Sequence, residues 1–428
     1  MSAAQARVEP FRGFLFNPKI AGDLTKLVAP PYDLIGTERQ NELYDRSPYN
    51  IIRLEYGREA DRYSSAKTTL DQWIRTGVLS RPERASIYQY TQRFEHAGGR
   101  FTRTGYVLRF RLEEFGQGRV LPHERTFPAA KEDRLRLLTM IETNTSSIFG
   151  LYTGNHAELE QLGESVKARA PLFSVRDDLG IDNELRVIDG ATEIATLQRA
   201  LEKPLVLIAD GHHRYETALN YQRARRAGEQ ASGTRPYDFT LMTLVSCNDP
   251  GLVILPTHRV VKALDPSALA SFETRAKEIF EVTRISDSRE LLANLARRGH
   301  GGLAVALKGA GNFLLALRDR AALDAALPDA PREVRELDVS ILHALVFDRI
   351  FGIKADEVRK GGNIEYTIDS AGAYAAVAEG RADGAFLMNP PTIDDVERVS
   401  LAGATMPQKS TYFFPKLLTG LVMNPLCD

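Results

Sequence analysis

The 428-residue sequence predicts a mixed α/β protein with largely antiparallel and mixed sheets. Three observations support this class. The stretch FTRTGYVLRFRLEEF alternates apolar and polar residues, as antiparallel strands with one solvent-facing side do. TERQNELYDR and DRLRLLTMIETN have helical spacing, and the apolar run PLVLIA is typical of a buried strand. Helices and strands do not alternate strictly, so a regular βαβ array is not expected.

The elements of the first half follow from these patterns. VEPFRGFLFN and KLVAPPYDLI are predicted as short strands, TERQNELYDR as a helix capped by Thr37, and SPYNIIRLEYG as a strand. DRYSSAKTTLDQWIRTGVL is predicted as a helix that ends at a glycine. SIYQYTQRFE, FTRTGYVLRFRLEEF and GRVLPHERT are predicted as an antiparallel meander with one wet face. A helix (DRLRLLTMIETN), a strand (SSIFGLYTG) and a helix (ATEIATLQRALE) then lead into the strand PLVLIAD.

The second half of the sequence also combines predicted helices and strands. FTLMTLVSC and GLVILPTHRVV are predicted strands, residues 266–330 alternate helix and strand with glycine-rich joints, and REVRELDVSILHALVFDRIF has a long helical pattern. The tail is predicted as strand, turn, helix and loop. We therefore predict four segments: an N-terminal α/β segment (1–84), a central mixed lobe (85–265), a small α/β segment (266–330) and a C-terminal α/β segment (331–428).

Composition narrows the class of protein. With 43% hydrophobic and 26% charged residues, the chain resembles a globular protein of two or three lobes. Its net charge of −1 gives no bulk attraction to nucleic acid or anionic membranes. The two cysteines, Cys247 and Cys427, exclude a zinc ribbon and make a disulfide scaffold improbable. Without an apolar signal core or spanning segment, a cytoplasmic protein with no membrane partner is expected.

The strongest candidate site is PLVLIADGHHRYETALNY, residues 204–221. Gly211 permits a sharp turn after the strand, and the following helix begins with amides that attract anions. Arg214 offers a two-pronged donor for phosphate or carboxylate. His212 and His213 point about 100° apart on a helix, so one of them is expected to line the site. Asp210 would orient a histidine, bind Mg²⁺ or cap the helix.

Two other interpretations of this stretch stay open. One is a capped helix whose histidines and arginine lie on the surface. The other is a transition-metal site, which is disfavoured because an arginine stands among the would-be ligands and no carboxylate or cysteine completes the set.

A second candidate is GATMPQKSTYFFPK, residues 403–416. Gln408 stands where a Walker A loop needs its second glycine, and the segment follows a helix, so that motif is rejected. The ammonium groups and hydroxyls remain candidates for binding phosphate, and the alternative is a solvated turn. These phosphate-binding candidates are Lys409, Ser410, Thr411 and Lys416.

Further candidates lie at other strand ends. In VLPHERTF, Phe127 replaces the second histidine of a zinc-protease motif, so His123, Glu124 and Arg125 are proposed instead as an acid–base group or as salt bridges. VAPPYDLI presents Tyr32 and Asp33 at a stiff turn, which is alternatively only structural. The loops at Asn248 and at Asn389-Pro390-Pro391 are weaker cleft candidates.

Three motifs together resemble the DUF-1015 family: APPYD, ADGHHRYETA and MPQKSTYFFPK, in this order along nearly the whole chain. ALEKPLVLIADGHHRYETA is also similar to the core of the ParB/sulfiredoxin superfamily, in which this turn holds nucleotide phosphates and one branch phosphorylates free serine. That resemblance places residues 210–214 at a phosphate site and leaves the catalytic acid or base unassigned.

The resulting hypothesis is a phosphoryl-transfer enzyme, a kinase of a small hydroxylated metabolite such as free serine that uses ATP or ADP with Mg²⁺. Asp210 would bind Mg²⁺, Lys409 and Lys416 would neutralise the transferred group, and His123 or Glu124 would accept the hydroxyl proton. No zinc, haem, flavin or nucleic-acid partner is expected, and the oligomeric state is not predicted. The alternatives are a phosphatase of a phosphorylated metabolite and a non-enzymatic nucleotide- or metabolite-binding regulator.

Overall fold

The structure is a computed structural model that describes residues 6–126, 128–228, 233–360 and 362–427. Helices form 39% of it and strands 26%, in mixed and antiparallel sheets, which confirms the mixed α/β class. None of the helices in these ranges is long and apolar enough to cross a membrane.

The described strands are, in chain order, β1 (Val8–Glu9), β2 (Leu15–Phe16), β3 (Leu79–Ser80), β4 (Ile87–His96), β5 (Gly99–Arg111), β6 (Val120–Leu121), β7 (Thr143–Asn144), β8 (Ile148–Tyr152), β9 (Phe173–Arg176), β10 (Asp182–Ile188), β11 (Val206–Asp210), β12 (Phe239–Ser246), β13 (Val253–Leu255), β14 (His258–Val261), β15 (Phe280–Arg284), β16 (Gly302–Leu307), β17 (Gly311–Leu317), β18 (Ile364–Thr367), β19 (Gly384–Met388), β20 (Tyr412–Phe414) and β21 (Asn424–Pro425).

The described α-helices are α1 (Pro18–Ala21), α2 (Thr37–Arg46), α3 (Ile52–Glu55), α4 (Arg62–Arg75), α5 (Pro128–Ile141), α6 (Ala157–Lys167), α7 (Ala191–Ala200), α8 (His212–Gly228), α9 (Pro266–Lys277), α10 (Ser288–Arg298), α11 (Ala321–Ala326), α12 (Arg332–Arg335), α13 (Asp338–Ile341), α14 (Ala355–Lys360), α15 (Ser370–Ala378) and α16 (Ile393–Leu401). Short 3₁₀ helices cover Leu24–Lys26, Tyr32–Leu34 and Pro236–Asp238, and Leu342–Phe351 is π-helical.

The chain forms two compact units. Unit 1 comprises residues 1–122, 126–252 and 415–428, and unit 2 comprises residues 123–125 and 253–414. Of the four predicted segments, 1–84 falls in unit 1 and 266–330 in unit 2, whereas the other two contribute residues to both units. The four-segment division stays a prediction.

Unit 1 is built on a nine-stranded mixed sheet in the order β6-β11-β8-β12-β5-β4-β10-β9, with β1 also paired to β5. Strand β11 runs parallel to β6 and antiparallel to β8, and β8 runs parallel to β12. One buried apolar cluster joins side chains of this sheet to those of α6, α7 and α8. This packing fixes α8, the helix that follows β11.

Unit 2 contains a six-stranded sheet in the order β15-β17-β16-β19-β14-β18, in which every neighbouring pair is antiparallel. Its core cluster includes Leu291, Ala304, Ala376 and Leu387, which belong to α10, β16, α15 and β19. Strands β13 and β20 form a separate antiparallel pair. The predicted alternation of helix and strand over residues 266–330 is confirmed.

Three N-terminal predictions are wrong. KLVAPPYDLI begins at the last residue of one 3₁₀ helix and contains a second, Tyr32–Leu34, and no strand, because prolines lack the amide that a strand ladder needs. SPYNIIRLEYG contains α3, whose start is fixed locally by the bond from the amide of Ile52 to Asn50 Oδ1 (2.9 Å). Gly36, not Thr37, is the N-cap of α2. Pattern alone did not reveal these local turns.

The predicted meander is confirmed only in part. Strands β4 and β5 pair antiparallel, but β6 pairs with β11 in parallel rather than joining them. Residues 87–92 of β4 are all buried, so this stretch has no wet face. Some of its polar groups have buried partners, as the Gln89 amide does in donating to the carbonyl of Gly163 (2.9 Å), whereas the Thr91 hydroxyl is buried without a hydrogen-bond partner in the described structure.

Two patterns in the second half are interrupted in the structure. GLVILPTHRVV forms β13 and β14, separated at Pro256, and the long helical pattern after residue 331 consists of α12, α13 and the π-helical segment. The predicted helix–strand succession from α7 to β11 is confirmed, as are strands β8 and β12. The tail has strand β19 and helix α16, as predicted, but the predicted loop contains the short strand β20, which pairs with β13.

Candidate active site

The tip of β11 changes direction within two residues. Pairing with β8 shifts register between Ile208 and Asp210, and Gly211 then adopts φ +95°. Helix α8 begins at the next residue, His212. A β-carbon on Gly211 would lie 3.0 Å from the guanidinium of Arg214, so glycine is needed both for its backbone conformation and for this close approach. The turn thus holds the Arg214 side chain back against the strand tip.

Three charged side chains meet at this turn, and we call Asp210, Arg214 and Lys416 the Asp210 triad. Lys416 Nζ donates to Asp210 Oδ2 at 2.7 Å, across 206 residues of sequence. Arg214 Nη2 lies 3.5 Å from Asp210 Oδ1, and its Nη1 donates to the carbonyl of Ser147 at 2.6 Å. Each of the three side chains is less than one-fifth exposed. Two of the three sequence motifs therefore meet within unit 1.

The Asp210 triad, with one carboxylate and two cations, carries a net charge of +1. Burial alone would raise the pKa of Asp210, but the charges of Lys416 and then Arg214 outweigh burial and hold that pKa well below its usual value. Asp210 is therefore an ionised carboxylate that holds two cations, not a proton acceptor at neutral pH. Such a half-buried, net-positive group suits an anionic ligand.

The two histidines at the start of α8 differ in burial. His212 is buried and lies close enough to Asp210 to help lower the pKa of that carboxylate, whereas His213 is half-buried. The prediction that only one of them lines the site is compatible with this difference and stays a prediction.

The APPYD motif also lies beside this region of unit 1. The guanidinium carbon of Arg134 is 4.2 Å from the centre of the Tyr32 ring. Burial raises the pKa of Tyr32 to about 12, although the charges of Arg134 and Arg214 oppose the increase. The neighbouring carboxylate, Asp33, is exposed. The Tyr32 hydroxyl is therefore neutral at neutral pH, and the charge of Arg214 acts on it.

Arg214 also lines a cavity of about 50 Å³, whose walls combine polar residues such as Glu55 and Arg134 with apolar ones such as Leu138. Glu55 is 2% exposed; it lies 3.4 Å from Arg134 Nη1 and accepts hydrogen bonds from the hydroxyls of Thr145 and Ser146. The cavity has room for a few waters. At this volume it does not enclose a whole nucleotide.

A second group of candidates comes together in unit 2. His123 is buried, and its Nε2 lies 2.9 Å from the hydroxyl of Thr411. Glu124 Oε1 accepts from the amide of Lys409 at 3.1 Å. Arg125 is exposed, and its Nε donates to the hydroxyl of Thr405 at 3.2 Å. The HERT and MPQKST stretches are therefore neighbours, although they lie almost 300 residues apart.

The backbone at Lys409 is unusual, because it adopts φ +55°, a left-handed conformation that residues with a β-carbon rarely take. Arg259, which is fully buried, donates to the carbonyls of Gln408 (3.3 Å) and Lys409 (3.1 Å) and so holds this conformation. Burial lowers the pKa of Arg259 to about 10, so it keeps its charge at neutral pH. The Lys409 side chain is exposed, whereas the Ser410 hydroxyl is turned inward to the carbonyl of Pro407.

The weaker loop candidates have structural partners. Asn248 is exposed and its amide donates to the carbonyl of Gly154 (3.3 Å). Asn389 donates to the carbonyls of Leu295 (3.0 Å) and Gly299 (2.8 Å), which anchors the end of α10.

The candidates thus form two groups. Tyr32, Asp210, Arg214 and Lys416 are neighbours in unit 1, whereas His123, Glu124, Lys409 and Thr411 are neighbours in unit 2. Sequence reasoning missed the buried groups that support both sets: Glu55, Gln92, Arg103, Arg134 and Arg259. Nothing local in the sequence distinguishes these residues from exposed polar ones or reveals their partners.

A resident metal has little support within the described ranges. No three His, Cys, Asp or Glu side chains there are grouped so that they could hold a metal ion. Both oxygens of Asp210 face cations, Lys416 on one side and Arg214 on the other. Mg²⁺ would bind Asp210 only after displacing Lys416, so the assignment of Asp210 as a metal ligand stays a prediction.

A family model described as a protein of unknown function (DUF1015) matches residues 8–340. The chain belongs to the DUF1015 family. The matched range contains the APPYD and ADGHHRYETA motifs and stops before MPQKSTYFFPK. No curated protein matches the sequence.

Several solved structures are similar at low identity. A mutant of a free serine kinase in complex with ADP is 15% identical, with a TM-score of 0.36, over 69% of this chain and 84% of that chain. A conserved hypothetical protein from Pyrococcus furiosus is 13% identical, with a TM-score of 0.33, over 70% and 89%. SbnI from Staphylococcus aureus is 11% identical, with a TM-score of 0.34, over 73% and 85%. At TM-scores this low, the likeness says nothing about the activity of this DUF1015 chain.

Proposed function

We propose that this DUF1015 protein is a phosphoryl-transfer enzyme that moves phosphate between a nucleotide and a small hydroxylated metabolite, with free serine as the first candidate. The observation that carries the proposal is the Asp210 triad, in which motif residues 206 positions apart form one net-positive, half-buried group. Phosphoryl transfer depends chiefly on positioning and on neutralising charge, and needs little further chemistry from the protein.

The triad residues divide this work. Lys416 and Arg214 would bind the oxygens of the transferred phosphoryl group, and Arg214 would do so with its two-pronged guanidinium. Asp210, held ionised by both cations, would keep them fixed before the substrate arrives. A preformed arrangement of cations costs little reorganisation in the transition state. Tyr32 would contribute a neutral hydroxyl beside Arg214.

The choice of phosphate donor and acceptor rests on the sequence. The likeness of ALEKPLVLIADGHHRYETA to the ParB/sulfiredoxin core is the reason for choosing a nucleotide donor, ATP or ADP with Mg²⁺, and serine as acceptor. The roles proposed for His123, Glu124 and Lys409 also stay predictions. A cytoplasmic location and a small-molecule partner are part of the same proposal.

The test is phosphorus NMR of the purified protein with O-phosphoserine, ADP and Mg²⁺, beside a sample without ADP. Loss of phosphoserine with formation of ATP, only where ADP is present, is the expected result. Lys416→Met and Arg214→Met should each lower the rate by about 100-fold, because a preorganised cation on the transferred group is worth 10²–10³ in rate.

The matched control is Arg223→Met, which removes another arginine of α8, one that pairs with the exposed Glu114. Its rate should stay near that of the unmodified protein. Free phosphate in both samples would instead establish a phosphatase. Wild-type rates in both triad variants would remove the triad from the reaction and refute the proposal.

A nucleotide-binding regulator is the second candidate. The observation that favours it is the full engagement of Asp210 with Lys416 and Arg214, which leaves this carboxylate unable to accept a proton. Nucleotide binding by calorimetry that depends on Arg214, with no turnover of any phosphorylated metabolite, would support the regulator over the enzyme.

A further inference from the structure

The main chain at Lys416 is held from two sides by buried side chains of the unit 1 sheet. Arg103 of β5 donates through Nη2 to the carbonyl of Pro415. Gln92 of β4 donates through Nε2 to the carbonyl of Lys416 itself, at 3.1 Å. The residue that reaches Asp210 is thus held at its own carbonyl and at that of its neighbour.

These two contacts belong to one network across neighbouring strands. Arg103 Nη2 also donates to Gln92 Oε1, and Gln92 Nε2 is shared with Asn183 Oδ1 of β10 at 3.0 Å. The Tyr90 hydroxyl donates to the same Asn183 oxygen at 2.6 Å and accepts from the amide of Leu418 at 3.4 Å. The network therefore holds the chain on both sides of the Lys416 side chain.

The two side chains that hold this segment are buried, so losing either contact is costly. Gln92 is 1% exposed and Arg103 is 2% exposed. Burial lowers the pKa of Arg103 to about 10, so its guanidinium stays charged at neutral pH. The acceptors of its Nη2 are neutral oxygens. A buried guanidinium is costly unless its hydrogens are bonded, so moving the Pro415–Lys416 backbone would leave buried donors without acceptors.

We propose that Gln92 and Arg103 are positioning residues for Lys416: they fix the backbone at residues 415–416 so that the ammonium reaches Asp210. Both act on Lys416 through the main chain. The consequence for phosphoryl transfer rests on the function proposed above, whereas the placement of Lys416 can be measured without it.

The measurement is trace acetylation of lysines with acetic anhydride, quantified for each lysine by mass spectrometry. In the unmodified protein Lys416 should react slowly, because it is 16% exposed and paired with Asp210. Gln92→Leu should raise its labelling about five- to tenfold, the change expected from losing a buried hydrogen bond and loosening the segment locally. Lys131, paired with Glu216, is the internal reference and should not change.

The matched control is Gln89→Leu, on the same strand and equally buried, where the amide donates to the carbonyl of Gly163 instead. It should leave the labelling of Lys416 unchanged even if it lowers the stability of the protein. Gln92→Glu is the second variant, in case Gln92→Leu does not fold. It keeps the shape and the acceptor for Arg103 but lacks the donor to Lys416, so labelling should again rise.

Unchanged labelling of Lys416 in a folded Gln92 variant would overturn the inference, whatever the protein catalyses. An equal rise in Gln89→Leu would also overturn it, because the effect would then be general loosening. Labelling of Lys416 could rise while the rate of phosphoryl transfer stays the same. That result would support the positioning role of Gln92 and count instead against the proposed function of Lys416.

Discussion

At the scale of single residues, Gly211 decides the geometry of the Asp210 triad. Its φ of +95° is strained for any residue with a β-carbon, and the guanidinium of Arg214 fills the space where that carbon would stand. Gly228, at the other end of α8, has neither constraint, since nothing lies within 4 Å of its added β-carbon. A side chain is therefore excluded at Gly211 but not at Gly228.

Gly211→Ala should lower the free energy of unfolding by about 1–2 kcal/mol and displace Arg214 from Asp210. Urea unfolding followed by circular dichroism measures the first effect, and phosphate or nucleotide binding by calorimetry measures the second. Gly228→Ala should change stability by no more than about 0.5 kcal/mol. Equal effects of the two substitutions would show that Gly211 has no special role.

At the scale of elements, the start of α13 buries an acid. Asp338 Oδ1 accepts from the amide of Gly301 at 2.6 Å, while its Oδ2 is buried without a hydrogen-bond partner in the described structure. Burial raises the pKa of Asp338 to about 6, from the model-peptide value of 3.8. The folded state therefore holds this proton more tightly than the unfolded state, so the carboxyl group costs stability as pH rises through this interval.

Asp338→Asn should gain stability relative to the unmodified protein as pH rises from about 4 to about 7, by up to about 3 kcal/mol for a difference of two pKa units. Urea unfolding at several pH values measures this gain. Asp287→Asn is the control of opposite sign, because two backbone amides lower the pKa of this N-cap carboxylate. Its stability relative to the unmodified protein should fall as pH rises. A gain for Asp338→Asn that does not depend on pH would contradict the burial argument.

At the scale of the whole molecule, the two units differ in how much they depend on distant parts of the chain. The six-stranded sheet of unit 2 and its core lie entirely within residues 253–414. Unit 1 instead needs its last segment, residues 415–428, which supplies Lys416 and strand β21. That segment also forms single bridges from Met423 to Phe14 and from Thr419 to Ala29.

We therefore expect residues 253–414, expressed alone, to unfold cooperatively on heating, and residues 1–252 to be less stable than unit 1 in the full chain. Circular dichroism during thermal unfolding measures both. Adding a peptide of residues 415–427 should raise the midpoint of the 1–252 fragment. A peptide in which Lys416 is replaced by methionine should stabilise it less. No response to either peptide would show that the last segment is dispensable for folding.

The sequence by itself determined the mixed α/β class and the strand–turn–helix from β11 to α8. Those features are local: an apolar run, one glycine and a helical spacing are all contained in residues 204–221. It also marked Asp210, Arg214 and Lys416 as charged residues in motifs, without indicating that they meet. Local patterns fix local conformation because the interactions concerned span a few residues.

Only the tertiary structure decided which distant residues are partners. The pairing of Lys416 with Asp210 depends on where the sheet places β11, and the buried Gln92 bonds to the carbonyl of Lys416, 324 residues further along the chain. The position of β6 beside β11 likewise follows from strand order. Burying a polar side chain is costly unless a partner satisfies it, and such partners can lie hundreds of residues away, so no local pattern records them.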